Sequence, residues 1–384
     1  MRYESSVKLE KSVAAVRRLA KYIGCDVLDP NYRLNKRSIN MLSQMAFGYM
    51  MIAYSCWRER HDALVALRVW LIVAKAVQAA SKFVNVVTKR HDYPILLGEL
   101  KAVLSEAQDN PSNEPILIKH MARLNFWQNT MLRAYWTAVT LVMISSILLT
   151  LITGEYILIF ELYIPFVDEK TLYGYIATTA CHTLFMIITV TIYPAFDSFF
   201  MILCLPIGMF VETIENEIGE LNQLLAEQGT LKREEIDEKL RRIYRIHQML
   251  VDLQTRVADH YSGHNWVLVT ANMIGMVCSV FLAYIKRYYP AYGMLVAMVD
   301  QLSQYCILGT YITTKNQQMV EIVYTIDFYQ LAPNQQRMVA LMLHRAQNAT
   351  EMTAGRIIPL NMETYVEVLK AIYSYITILS RMVD

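Results

Sequence analysis

The sequence predicts an all-α membrane protein with seven transmembrane helices. Of its 384 residues, 55% are hydrophobic and only 18% are charged, whereas a soluble domain usually carries about 25% charged residues. The apolar residues are gathered into runs of roughly 20, the length that a helix needs to cross the hydrocarbon core of a bilayer. The net charge is only +2, so composition gives no indication of nucleic-acid binding.

Seven apolar runs are long enough to be transmembrane spans. The second and the seventh contain charged residues, so an interfacial position for either stays open. The runs are residues 38–57, 63–87, 131–153, 174–206, 265–285, 293–314 and 362–382.

The positions of lysine and arginine indicate the orientation of the chain. The N-terminal segment and the segments between spans two and three, four and five, and six and seven contain 25 of them, whereas the other three loops contain five. Positively charged loops stay on the cytosolic side, so we expect a cytosolic N-terminus and an extracellular C-terminus. This orientation excludes the G-protein-coupled receptors, whose N-terminus lies outside.

The cytosolic segments continue the spans as amphipathic helices. Apolar residues recur every three or four positions through residues 207–262, which predicts two helices in an antiparallel hairpin beneath the membrane. A further amphipathic segment at 317–347 contains Met319, Ile322, Val323, Ile326, Tyr329 and Leu331. Two interpretations stay open: a helical subdomain within one chain, or helices that pack between subunits of an oligomer.

These features divide the chain into six regions. The divisions are a cytosolic N-terminal segment at 1–37, spans one to four at 38–206, the cytosolic extensions of spans four and five at 207–264, spans five and six at 265–314, a cytosolic anchor helix and loop at 315–360, and the last span at 361–384.

The chain lacks the sequence patterns of the common enzyme classes. Neither the glycine-rich nucleotide motifs nor G-x-S-x-G occurs. His260 and His264 are four residues apart, but Tyr261 stands where a metalloprotease motif requires Glu. We therefore expect no catalytic residue, no metal site and no cofactor.

Span two contains three basic residues on one helical stripe, Arg68, Lys75 and Lys82. The side chains of Arg68 and Lys82 can reach opposite membrane surfaces, but Lys75 lies near the midplane, where a lysine is costly without water or an acid. Asp197 in span four and Asp300 in span six are candidate partners. Both a structural ion pair and a transport role stay open.

The last span has two different faces. One is small or polar, and the other is aliphatic, with Leu369, Ile372, Ile376, Leu379 and Val383. This division is typical of a helix that lines a water-filled pore. Ordinary packing of Ile378 and Met382, and contact of Arg381 with outer headgroups, stay open as alternatives. The polar face contains Glu367, Lys370, Ala371, Ser374, Ile378, Arg381 and Met382.

The C-terminal third contains a series of short motifs that resembles the signature of insect odorant receptors. Asp197-Ser198-Phe199-Phe200 in span four adds weaker support, and the length, seven spans and cytosolic N-terminus agree over the whole chain. One departure is Phe328, where the family usually has Trp. The motif residues are Phe328, Tyr329, Leu331 and Pro333; Arg345, Ala346 and Gln347; Thr353, Ala354 and Gly355; Thr364 and Tyr365; and Tyr373, Ser374 and Tyr375.

The resemblance implies an odorant-gated, non-selective cation channel in the plasma membrane of olfactory sensory neurons, at the dendrite or cilium. The chain lacks the long insertion of the family's co-receptor, so it looks like the ligand-tuning subunit of a heterotetramer with that co-receptor. By this resemblance Ile378 and Met382 fall at the gate, with Arg381 at a neighbouring polar position and Ser374 on the same face. A gustatory-type receptor channel and a multi-span transporter are the alternatives.

The resemblance also implies an odorant pocket in the outer half of the bundle, among spans two, three, four and six. No motif marks it, so its residues are assigned by position, and ordinary helix packing is the alternative for each. Ser146, His182 and Tyr305 can form hydrogen bonds with a heteroatom of the ligand. The candidates are Val69, Ile72, Val73, Ala76, Met143, Ser146, Leu149, Thr150, Thr178, His182, Phe185, Met186, Thr189, Met298, Leu302 and Tyr305.

Overall fold

In a computed structural model, the chain folds almost entirely into α-helices. The structure describes residues 3–29, 32–33, 35–227, 233–286 and 290–383. Over these ranges the helices are α1 (Glu4–Tyr22), α2 (Lys36–Arg58), α3 (Ala63–Thr88), α4 (Asp92–Gln108), α5 (Glu114–Thr153), α6 (Leu172–Ala226), α7 (Arg233–Lys286), α8 (Pro290–Tyr324), α9 (Pro333–Gln347) and α10 (Met362–Val383). Two 3-10 turns, Pro111–Asn113 and Phe328–Gln330, and a two-stranded hairpin, β1 (Thr353–Ala354) and β2 (Ile358–Pro359), complete the fold.

The seven predicted spans coincide with α2, α3, α5, α6, α7, α8 and α10. Within the described ranges, four segments are long and apolar enough to cross a membrane by length and composition alone. These are Val65–Thr88, Pro111–Thr153, Leu172–Ala226 and Arg233–Ala283. The remaining spans, α2, α8 and α10, complete the bundle of seven.

Two helical parts of the cytosolic region are absent from the predictions above. Helix α4 lies in the segment between spans two and three, and its buried Leu96, Leu100 and Val103 recur at the spacing of an amphipathic helix. Helix α5 begins at Glu114 rather than at residue 131, because Leu117 and Met121 on its first turns belong to the same core as α1. Both patterns are visible in the sequence, but short amphipathic helices lack the continuous apolar run that marks a span.

The predicted cytosolic hairpin is present and is built from the two longest helices. Helices α6 and α7 each run unbroken from the membrane into the cytosolic region. Ile214 and Ile218 of α6 are buried in one core with Ile243 and Ile246 of α7. The shared core makes the hairpin a rigid continuation of the transmembrane bundle.

The predicted amphipathic segment at 317–347 is divided between two helices. Helix α8 ends at Tyr324, and α9 begins at Pro333, whose ring fixes a helical φ and lacks an N–H, so it starts a helix well but cannot continue one. Met319, Ile322, Val323, Ile326 and Leu331 are buried as expected, but Tyr329 is 69% exposed. Its placement on the buried stripe was wrong, because the 3-10 turn at 328–330 interrupts the helical period.

A buried carboxylate joins three parts of the cytosolic region. Glu217 of α6 is fully buried, its Oε2 lies 2.5 Å from the Lys239 ammonium of α7, and its Oε1 accepts a 2.7 Å hydrogen bond from the Asn113 amide. Glu220, one turn later, also pairs with Lys239. Burial opposes ionisation of Glu220, but hydrogen bonds from Lys239, Ser112 and Asn110 outweigh it and lower its pKa. These contacts fasten the hairpin to the turn between α4 and α5.

The basic residues of span two find different partners from those expected. Lys82 does not reach a membrane surface: its side chain is fully buried, and its Nζ lies 2.6 Å from Oδ1 of Asp197 on α6. Asp197 also accepts hydrogen bonds from the hydroxyls of Tyr135 on α5, at 2.6 Å, and Tyr305 on α8, at 2.5 Å. Arg68 pairs with Glu161 in the loop between α5 and α6, which agrees with a position near the outer surface. One carboxylate thus connects four transmembrane helices.

Removing this carboxylate is expected to destabilise the bundle strongly. Asp197→Asn leaves the Lys82 ammonium buried without a counter-ion, and breaking a buried pair costs about 3–5 kcal/mol. We expect a large fall in surface expression and in the unfolding temperature of the detergent-solubilised protein.

The matched control for Asp197→Asn is the exposed ion pair of Lys101 and Glu10, whose Nζ and Oε1 lie 2.6 Å apart. Lys101→Met is expected to change stability by less than about 1 kcal/mol, since exposed pairs contribute little. Equal effects of the two substitutions would contradict the structural role of Asp197.

The cytosolic region also contains histidines that favour the neutral form. His247 of α7 is fully buried, and burial, followed by repulsion from Arg345, lowers its pKa to about 4. Burial also lowers the pKa of His120 on α5. Because the pKa of each folded-state histidine lies below the value of 6.5 for a free side chain, their contribution to stability is complete above pH 6.5 and is lost as the pH falls through the folded-state pKa, which is about 4 for His247.

Acidification should therefore destabilise the cytosolic region. His247 alone should remove about 1 kcal/mol per pH unit between pH 6.5 and 4. We expect the unfolding temperature of the purified protein to fall over this window, and His247→Leu to reduce the fall. His344, which is exposed on α9, supplies the control substitution His344→Leu, which should leave the pH dependence unchanged. An unaltered slope in His247→Leu would contradict the assignment.

Candidate ligand cavity and last helix

A cavity of about 250 Å³ lies within the transmembrane bundle and reaches the loop between α5 and α6. Four of the helices that form it are α3, α5, α6 and α8, as expected from the sequence. Helix α2 and the loop between α5 and α6 also contribute. The lining residues are Met45, Gly48, Tyr49, Ile52, Ile72, Lys75, Ala76, Ala79, Tyr135, Ala138, Val139, Val142, Phe160, Leu162, Phe185, Met186, Ile188, Thr189, Ile192, Tyr193, Gly293, Met294, Ala297 and Gln301.

Five of the sixteen residues assigned to the pocket from the sequence line this cavity. They are Ile72 and Ala76 on α3, and Phe185, Met186 and Thr189 on α6. All five lie on helical faces that point toward the same space. The structure therefore brings together the central part of the assigned residues of spans two and four.

The other assigned residues lie outside the cavity lining. Val69 and Val73 pack in a small cluster with Met51 of α2, and Met298, Leu302 and Tyr305 are buried in the main core. Met298 fills the space beside Gly275 of α7, where a Cβ would come within 2.5 Å of its methyl carbon. Met143 and Leu149 are half-buried on α5, and Thr178 is buried on α6.

The side chains expected to bond a ligand heteroatom are engaged within the protein. Ser146 donates from Oγ to the carbonyl of Ile157 at 2.9 Å, as Thr150 does at 3.3 Å. Nε2 of His182 lies 3.0 Å from the carbonyl oxygen of Leu162. Tyr305 donates to Asp197. These residues hold the outer loop and the bundle rather than facing the cavity.

The contribution of α2 to the cavity was missed from the sequence. Met45, Gly48, Tyr49 and Ile52 lie at three- and four-residue spacing and form one wall. Gly48 permits the approach of Phe185, since a Cβ there would lie 3.0 Å from the phenyl ring. A small residue inside a span is a known sign that another helix approaches closely. Gly48 was therefore the feature of the sequence from which the contribution of α2 could have been predicted.

Lys75 and Gln301 are neighbouring polar residues of the cavity lining. Lys75 does not pair with Asp197 or Asp300; its Nζ donates to Oε1 of Gln301 at 2.8 Å and lies 3.4 Å from Oδ1 of Asn272 and 3.5 Å from Oε1 of Gln78. Asp197 is unavailable because Lys82 and two tyrosine hydroxyls occupy it. Neutral amide oxygens therefore surround the ammonium in place of an acid.

Within the described part of the chain, no group of three or more His, Cys, Asp or Glu side chains converges on a point. His264 interacts with Ser81 through Nδ1 at 3.1 Å, and His260 lies 3.5 Å from Asp92. The two histidines singled out in the sequence therefore have separate structural partners.

The last helix, α10, presents one face to the bundle and one away from it. Val368 and Ile372 are buried, whereas Glu367, Ser374 and Ile378 are exposed, Ile378 by 58%. The side chains of Arg381 and Met382 lie outside the described part of the structure. The described polar-face positions Glu367, Lys370, Ser374 and Ile378 are thus free to face a neighbouring subunit or a pore.

The start of α10 is fastened to α8. The backbone of Gly309 lies so close to Leu360 that a Cβ would come within 1.6 Å of the Leu360 carbonyl oxygen. The hydroxyl of Thr310 accepts a 2.8 Å hydrogen bond from the backbone N–H of Met362. Because α8 also supplies Gln301 to the cavity, one helix contacts both the cavity and the base of the last span.

Comparison with known proteins agrees with this architecture. Putative odorant receptor 83c of Drosophila melanogaster is 21% identical to this chain, over 95% of this chain and 97% of that receptor. Odorant receptor 10a of the same species is 22% identical, over 89% of this chain and 88% of that receptor. The solved structure of olfactory receptor OR5 from Machilis hrabei matches the fold with a TM-score of 0.74 at 13% identity, covering 97% of this chain and 98% of that one. The structure of the same receptor in complex with eugenol matches with a TM-score of 0.73 at 13% identity, and the match covers 97% of this chain and 99% of that one.

The sequence pattern of a single receptor family extends over most of the chain. The model of the family described as 7tm Odorant receptor matches residues 63–373, from the start of α3 into α10. This range includes four of the five helices that line the cavity and the contact between α8 and α10. The chain is a member of the 7tm odorant receptor family of insects and a receptor rather than an enzyme.

Proposed function

We propose that this chain is the odorant-specific subunit of a heteromeric, ligand-gated, non-selective cation channel. In this proposal it assembles with the odorant co-receptor, as a tetramer, in the plasma membrane of olfactory sensory neurons at the dendrite or cilium. A small volatile molecule binds in the cavity of the outer half of the bundle and opens a pore lined by α10. Family membership favours this function over the gustatory-type and transporter alternatives.

The cavity is the observation that carries the proposal. Its lining is mostly aliphatic and aromatic, with a few polar groups such as Lys75 and Gln301, as is typical of sites for small organic ligands. The related Machilis hrabei receptor has been solved in complex with eugenol, a small organic ligand. Five residues assigned from the sequence, Ile72, Ala76, Phe185, Met186 and Thr189, contribute to the lining.

The contact between α8 and α10 supports a route from the cavity to the pore. A ligand that presses on the outer part of α8 moves a helix whose middle, at Gly309 and Thr310, is in direct contact with the start of α10. We propose that Ile378 and Met382 form the gate, with Ser374 and Arg381 on the same pore-facing side. A ring of apolar side chains closes a pore by excluding water.

Expression with and without the co-receptor tests the assembly and the cavity together. Currents in response to an odorant panel are expected only when both chains are present. Ala76→Phe places a ring in the cavity and should reduce the response at least about tenfold in half-maximal concentration, because an overfilled site excludes ligand. The matched control is Ala134→Phe on the exposed side of α5, which should respond as the unmodified chain does. Unaltered responses in Ala76→Phe would remove the cavity from the proposal.

Arg381 tests the position of the last helix in the pore. Four arginines around one pore would repel cations strongly, so a cation channel fits an assembly in which only some subunits contribute one. Arg381→Gln is expected to raise cation permeability and shift the reversal potential in mixed ions. Arg356→Gln, which removes an exposed cytosolic cation paired with Asp259, is the control. A reversal potential unchanged by Arg381→Gln would leave contact with the lipid headgroups as the role of Arg381.

A further inference from the structure

The hydrogen bond from Lys75 determines which terminal atom of the Gln301 side chain is oxygen and which is nitrogen. Gln301 of α8 belongs to the lining of the cavity and is 2% exposed. Lys75 can donate hydrogen bonds but cannot accept them, so the Gln301 atom 2.8 Å from its Nζ is the oxygen. The other terminal atom is therefore the NH₂ group. Among the described residues, Nε2 of Gln301 has no hydrogen-bond partner.

The other polar side chains of the lining already use their hydrogens. The hydroxyl of Tyr49 donates to the carbonyl of Ala76 at 2.8 Å, and that of Tyr193 donates to the carbonyl of Lys75 at 2.6 Å. Thr189 donates to its own helix and Tyr135 donates to Asp197. The Lys75 ammonium faces three amide oxygens. Within the described lining, the NH₂ of Gln301 is the hydrogen-bond donor left for a ligand.

We propose, building on the function above, that the cavity selects small apolar molecules with a carbonyl oxygen, which accepts a hydrogen bond from Nε2 of Gln301. A buried N–H without an acceptor is unfavourable, so a ligand that supplies one binds better than a hydrocarbon of the same shape. An aldehyde, ketone or ester oxygen accepts without adding a hydrogen of its own.

A pair of ligands that differ only in the acceptor tests this assignment. The probes are a straight-chain 2-alkanone and its 2-methylidene analogue, in which C=CH₂ replaces C=O at nearly the same shape. In cells that express the chain with its co-receptor, we expect the ketone to be roughly three- to tenfold more potent. Equal potency, or responses to the hydrocarbon alone, would overturn the proposal without any substitution.

Substitution of Gln301 then identifies the donor. Gln301→Met keeps the length of the side chain and removes the NH₂, while Lys75 retains the oxygens of Asn272 and Gln78. The potency ratio of the two probes is expected to fall close to one. Gln304→Met is the control, because Gln304 lies one turn away, bonds to Asp300 and does not line the cavity; its ratio should match that of the unmodified chain. A ratio that persists in Gln301→Met would refute the assignment.

The experiments distinguish a failure of the Gln301 assignment from a failure of the proposed ligand cavity. Suppose that Ala76→Phe abolishes responses but Gln301→Met leaves the potency ratio of the ketone and the hydrocarbon unchanged. The cavity then binds the ligand, and a group other than Gln301 donates the hydrogen bond to the carbonyl oxygen. If Ala76→Phe has no effect, the proposed cavity itself fails. Surface labelling of each variant shows that the comparison concerns folded receptors, and the ratio of two ligands on one variant does not depend on the expression level.

Discussion

The Asp197 carboxylate imposes the strictest constraint on the transmembrane bundle. A charge buried among apolar helices must be paired and hydrogen-bonded, and here Lys82, Tyr135 and Tyr305 satisfy it from three different helices. The Lys82 ammonium also lies 4.1 Å from the ring centre of Tyr193. Because these contacts fix the rotation and height of α3, α5, α6 and α8 at one point, they also determine which side chains those helices present elsewhere.

The cavity is a direct consequence of that fixed arrangement. The four helices that meet at Asp197 are four of the five that surround the cavity. Tyr135 and Tyr193 take part in both, since each lines the cavity and contacts the ion pair. The side of the cavity at Tyr135 and Tyr193 is therefore held by the buried ion pair, whereas Ala76 and Leu162 of its walls are held by packing and by hydrogen bonds to their carbonyl groups. Substitutions in the walls can alter shape without disturbing the charge pair.

Length and periodicity predicted the spans well, because both depend on the solvent that each segment meets. The bilayer requires about 20 apolar residues wherever a helix crosses it, and the hairpin of α6 and α7 follows from a repeated three- and four-residue spacing. The limits of the helices were harder to predict. Helix α4 and the first part of α5 bury their apolar stripes against other helices, and their sequences carry no membrane signal.

The candidate site was predicted less completely, because pairing between helices is not encoded in any single helix. The need of span two for a buried partner was clear from the sequence, but the choice between Lys75 and Lys82 depends on their depth relative to Asp197. Likewise Ser146 and His182 have suitable chemistry for a ligand, yet both bond to the outer loop. The wall formed by α2 depends on how the helices are arranged, which the sequence of α2 does not specify. Gly48 was the one local indication, because a small residue permits close approach of another helix.

The contact at Gly309 has a consequence for inherited variation. Every single-nucleotide change that alters a glycine codon without ending the chain adds at least a Cβ, and here that atom would meet the Leu360 carbonyl oxygen. No change of rotamer relieves this overlap, because the obstacle is backbone rather than a flexible side chain. An allele altered at this codon would therefore act on the receptor as a whole, whereas under the proposed function an allele altered in the cavity wall would change the response to particular ligands.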